Sequence, residues 1–80
     1  MTLDECSINE KVIIKQIIAD DQMTRRFMDI GMIEGTKVEK KYESYWNDPA
    51  AYYVRGAVIA IRKKDAQKIK VERINHEILL

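Results

Sequence analysis

The sequence predicts a mainly β protein: a small, partly open antiparallel barrel of five short strands, with one α-helix inserted after the first strand. Three observations carry this reading. Eighty residues suffice for one domain and leave no room for a second core. Five short segments are rich in β-branched and aromatic residues, or alternate apolar with charged ones at the period of a strand. Between the first two of these, residues 20–31 space their apolar groups as a helix does.

Thr2 stands three residues before Glu5, the spacing of a capping box, which predicts a single helical turn with Leu3 and Cys6 facing inward. KVIIKQII, residues 11–18, is dense in β-branched residues and carries apolar side chains on both parities, so it predicts a strand partly covered on both faces. In ADDQMTRRFMDIG, Asp20 or Asp21 can accept the first free backbone N–H groups and place negative charge at the positive helix end. Met23, Phe27 and Ile30 recur at i, i+4 and i+7 and define one face. Gly31 follows as the left-handed residue that ends the helix, which positions Met32 to fold back onto Phe27.

In IEGT, Glu34 and Gly35 form the middle of a turn, with a positive φ at Gly35. From Thr36 the alternation is clean: Lys37, Glu39, Lys41 and Glu43 form a charged face, and Val38 and Tyr42 lie on the other. SYWNDPA is rich in turn formers and holds the only proline, Pro49. AYYVRGAVIAIR then supplies two strands joined by a tight hairpin at Arg55 and Gly56. KKDA allows one helical turn, and in KIKVERI Ile69 and Val71 alternate inward against Lys70 and Glu72. The expected core is Phe27, Ile30, Val38, Val54, Ile59, Ile61, Ile69 and Val71. The domain is expected to span residues 1–80, with its body over about 3–74 and a tail over 75–80.

Composition narrows the function. Fourteen basic and 13 acidic residues give a net charge of +1, without the strong basic excess of a dedicated nucleic-acid binder. Basic residues nevertheless cluster late in the chain. The alternative reading is therefore a stand-alone barrel that binds single strands through Lys63, Lys64, Lys68 and Lys70, with Tyr52, Tyr53 or Trp46 stacking on bases. No apolar run is long enough to span a membrane, and no charged leader with an apolar stretch opens the chain. The single cysteine, Cys6, fits a reducing cytoplasm.

No catalytic constellation is visible. There is no Gly-x-Ser-x-Gly, no phosphate loop and no Cys-x-x-Cys, and Cys6 and the single histidine, His76, have no positioned partner. Asp20, Asp21, Glu34 and Asp48 lack ligand spacing, and Met23, Met28 and Met32 do not share a helical face. No catalytic residue, cofactor or metal site is expected.

RRFMDIGMIEGTKVE closely resembles the signature of the FeoA family, small cytoplasmic proteins of the bacterial ferrous iron transport system. Arg26, Phe27, Met28, Asp29, Ile30, Gly31, Met32, Gly35, Thr36 and Val38 match that signature in place. VRGAVIAIRKKDAQKIKVE is similar to the family's ending, so the resemblance covers residues 3–72. It departs from the signature in three places: Glu34 stands where proline is common, Asn47 replaces the glycine before Asp48–Pro49, and the loop segment SYW is more aromatic than usual. The resemblance implies an SH3-like barrel and a non-enzymatic accessory role in the cytoplasm. In that role the protein would bind the cytoplasmic part of the FeoB membrane transporter at the inner face of the membrane and modulate iron(II) uptake. A similar barrel forms the C-terminal domain of iron-dependent repressors of the DtxR type, so a regulatory domain of that kind is the other alternative, although this sequence carries no helix-turn-helix.

Two sets of residues are expected to contact a partner. Tyr45, Trp46, Asp48 and Pro49 form one, because Trp and Tyr concentrate binding energy at interfaces. The competing role for Trp46 is to plug one end of the barrel. Arg25 and Arg26 form the other, offering charge to an acidic surface. Their competing role is helix solubility, with a local salt bridge to Asp29.

Overall fold

Strand-period segments pair in the order in which they emerge, with one crossing. A computed structural model describes residues 1–44 and 48–74. Strands β1 (Lys11–Ile17), β2 (Lys37–Glu43), β3 (Ala50–Val54), β4 (Ala57–Ile61) and β5 (Ile69–Arg73) form one antiparallel sheet, ordered β4-β3-β2-β1-β5. A 3₁₀ turn, Leu3–Glu5, precedes β1. Helix α1 (Asp21–Asp29) is inserted between β1 and β2, and the one-turn helix α2 (Lys63–Ala66) between β4 and β5. This is the mainly β architecture with one helix after the first strand that the pattern predicts. Tyr45, Trp46, Asn47 and residues 75–80, His76 among them, lie outside the described residues. No helix among the described residues is long and apolar enough to cross a membrane.

One cluster holds the core. Leu3, Val12, Ile14, Phe27, Met32, Val38, Tyr52, Val54, Ile69 and Val71 pack in it, each large apolar side chain contributing roughly 1.5–3 kcal/mol by leaving water. The ends of α1 are fixed by hydrogen bonds legible in the sequence. Asp20 Oδ1 accepts the Met23 N–H at 2.8 Å. At the other end the Gly31 N–H donates to the Met28 carbonyl (2.9 Å) and the Met32 N–H to the Phe27 carbonyl (2.8 Å), the Schellman pattern. Gly31 has φ +87°, and Met32 is buried in the same cluster as Phe27.

That ending also displaces one expected core residue. Ile30 is 39% exposed, because it is the C-cap at φ −96°, ψ 8°. There the chain leaves helical geometry, and Met32 takes the inward place. Ile59 is half-buried and packs against the cluster from its rim, since β4 is an edge strand. The hairpin is as predicted: Arg55 and Gly56 both have positive φ, +50° and +88°, and join β3 to β4.

Strand β2 departs from its pattern. Val38 is buried, but Tyr42 is 60% exposed rather than inward. The register runs Lys40↔Tyr52 and then Tyr42↔Ala51, so one extra residue, Lys41, bulges from β2. A bulge reverses which face the following residues meet. The inward position after Val38 belongs to Lys40, which is 1% exposed.

Candidate interaction surface

Arg25 and Arg26 both project from α1 into solvent and share a shallow depression with Asp21, Gln22 and Asp29. Among the described residues no ion pair joins Arg26 to Asp29. Asp48 and Pro49 are exposed as well, but Asp48 has structural work. Its Oδ1 accepts the N–H of Lys63, the first residue of α2, at 2.9 Å, which satisfies one of that helix's free donors. Its own N–H donates to Ser44 Oγ at 3.1 Å. Pro49 follows a cis peptide bond, and its carbonyl accepts the Ser44 N–H. Pro49 lines a recess with Tyr42, Ser44 and Val58 that shares no residue with the arginine depression. The two expected contact sets are thus not merged into one pocket, and Tyr45 and Trp46 lie outside the described residues.

Sequence reasoning missed two concave features. A cleft of about 300 Å³ runs between α1 and β4. Met23, Arg26, Phe27 and Ile30 line one wall, Ile59, Ala60 and Ile61 the other, and Arg62 and Asp65 close one end. A second recess, of about 440 Å³, gathers Lys11, Lys37, Tyr53 and Arg55 around Glu39. Both depend on which strands are neighbours, which local periodicity does not encode. The one available signal for the cleft was the uncharged run AVIAI.

The base-stacking alternative loses a residue. Tyr52, offered for stacking, is 1% exposed and belongs to the core, where burial raises its hydroxyl pKa. Tyr53 is exposed, but β2 and β1 separate its strand from β5, which carries Lys70.

The least expected polar group is Lys40. Its Nζ donates to the carbonyls of Asp4 (3.3 Å) and Cys6 (3.1 Å) and pairs with Glu43 Oε1 at 2.8 Å. Its carbonyl accepts the Asn9 N–H at 2.6 Å. Lys40 therefore ties the N-terminal segment to β2. Beside it, the Cys6 thiol donates to the Leu3 carbonyl at 3.0 Å. Burial pushes this thiol up to about 11, against the opposing pull of the Lys40 ammonium. Cys6 is a packed, protonated thiol at neutral pH. Among the described residues, no three His, Cys, Asp or Glu side chains converge to hold a metal ion.

Five antiparallel strands, a helix after the first, and a surface of shallow clefts define a small SH3-like domain. Comparison with known proteins specifies it further: the family model described as the FeoA domain matches residues 1–73. The chain belongs to the FeoA family, small SH3-like proteins associated with ferrous iron transport. The FeoA-like protein of Clostridium acetobutylicum is 30% identical, with a TM-score of 0.86, over 96% of this chain and 90% of that one. FeoA of Stenotrophomonas maltophilia, a prokaryotic SH3 domain protein complexed with zinc, has been suggested to be a ferrous iron transport activating factor. It is 22% identical, with a TM-score of 0.78, over 90% of this chain and 89% of that one. A manganese-dependent transcriptional repressor contains the same fold at a TM-score of 0.84 and 22% identity, but this chain covers only 36% of its length. No curated protein matches the chain by sequence.

Proposed function

We propose that this chain is a non-catalytic accessory protein of bacterial ferrous iron uptake. It binds the cytoplasmic part of a FeoB-type transporter at the inner face of the membrane and modulates its activity. The observation that carries the reading is the family match over residues 1–73. The exposed pair Arg25 and Arg26 supports it, since neither is engaged by a neighbouring acid among the described residues. The loop with Tyr45, Trp46, Asp48 and Pro49 supplies the aromatic part of the contact.

The test has two readouts: titration of the full chain with the transporter's isolated cytoplasmic domain, and iron(II) uptake in cells lacking this protein. Saturable binding and reduced uptake are expected. Trp46→Ala and Arg26→Ala should each weaken binding, and a hot-spot truncation costs about 2 kcal/mol, roughly 30-fold in affinity. The larger effect locates the centre of the contact. Absence of association together with unchanged uptake overturns the reading.

A further inference from the structure

We propose that β4 is a docking edge for an extended, mainly apolar segment of a partner protein with acidic residues at its ends, which joins the sheet as a sixth strand. The sheet order leaves two outer strands, β4 and β5. The outer side of β5 is engaged: the Val71 N–H donates to the Met1 carbonyl, and Thr2 bridges to Lys70. Among the described residues, nothing does the same for β4.

The register shows which groups are on offer. The two-residue turn makes Val54↔Ala57 a hydrogen-bonded pair, and alternation gives the same character to Tyr52↔Ile59 and Ala50↔Ile61. The N–H and C=O groups of Val58 and Ala60 therefore point away from β3. Strand β4 also lacks the devices that blunt an edge: AVIAI has no charge and no proline, and its pairing with β3 is free of bulges. Val58 is 52% exposed.

The cleft against α1 runs along this edge, with Met23, Phe27 and Ile30 facing Ile59 and Ile61. A strand added to β4 sends alternate side chains to that side, where apolar ones fit. Charge selects the ends. Arg55 precedes β4, Arg62, Lys63 and Lys64 follow it, and Arg26 and Arg62 line the cleft, whose one acid is Asp65.

Charge also argues against a second copy. Antiparallel β4–β4 pairing through Val58 and Ala60 is centred on Ile59. It brings the basic residues that flank β4, Arg55 before it and Arg62, Lys63 and Lys64 after it, to the same two ends of the paired strands in both copies. Like charges brought together are unfavourable. The inference concerns the mode of docking and holds whichever protein supplies the segment.

The test titrates the ¹⁵N-labelled full chain, at low salt, with the synthetic peptide Asp-Glu-Val-Thr-Val-Thr-Val-Glu-Asp and with its counterpart bearing lysines in place of the acids. The acidic peptide should shift the Val58 and Ala60 amide signals, slow their hydrogen exchange, and bind about tenfold more tightly than the lysine form. Ala60→Pro removes one outward N–H and leaves the ladder to β3 in place, so it should weaken binding by about tenfold. Should that variant fail to fold, the double variant Arg26→Glu, Arg62→Glu should reverse the preference between the peptides. Four results overturn the proposal: no binding of the acidic peptide, equal affinity for both, shifts that leave Val58 and Ala60 unchanged, or a dimer joined through β4.

Discussion

At the scale of single residues, the fold depends on a lysine taken out of water. Lys40 has three N–H donors and meets three acceptors, two carbonyls of the N-terminal segment and the Glu43 carboxylate. Lys40→Ala strands those carbonyls and leaves a void. It should destabilise the protein by about 2–4 kcal/mol, read as a lower urea midpoint. Cys6 makes a separate prediction. Its thiol is held at about 11 in the folded chain, above the unfolded value of 9.0, so the folded state keeps that proton longer. The contribution to stability is complete below pH 9 and is lost as pH rises towards 11. Urea midpoints should fall across that window, Cys6→Ala should lose part of the fall, and the native thiol should resist alkylation at pH 8.

At the scale of elements, two glycines at similar φ serve different neighbours. A Cβ at Gly35 meets nothing within 4 Å, whereas one at Gly31 comes within 2.7 Å of Arg55 Cδ. Arg55 Nε donates to the Gly31 carbonyl at 3.0 Å, a cation at the negative end of α1. Gly35→Ala should cost about 1–2 kcal/mol for the left-handed backbone alone, and denaturation should show a larger loss for Gly31→Ala. The elements were largely legible because each carries its own local signal: the capping box at Thr2, the cap at Asp20, the glycine after α1, the hairpin at Arg55. What was not legible was non-local. Alternation sets Lys40 on the face of Val38, but its charge marks it as outward, and nothing near Lys41 announces the bulge that turns Tyr42 to solvent. The cleft exists only because β4 ends the sheet beside α1, a fact of strand order. Arg25, Arg26, Asp48 and Pro49 could be picked out as exposed from the sequence. That Asp48 also caps α2 could not, because the capped residue lies 15 positions away.

At the scale of the whole molecule, charge is nearly balanced in sum but unevenly distributed. Arg26 lies outside the core and has no ion-pair partner among the described residues. Arg26→Ala should therefore leave the urea midpoint within about 0.5 kcal/mol of the parent, while weakening association with the transporter's cytoplasmic domain. Such a split would separate a contact residue from a structural one. The packing of Arg55 over Gly31 carries the same distinction into the chain's evolutionary freedom. A side chain at position 31 requires the arginine stem to move, and a shorter residue at position 55 removes one of the two donors to the helix-end carbonyl, leaving only the Thr36 hydroxyl at 3.2 Å. Substitutions at these two positions are therefore not independent events. The helix end and the hairpin tip, 24 residues apart, thus constrain each other's choice of residue.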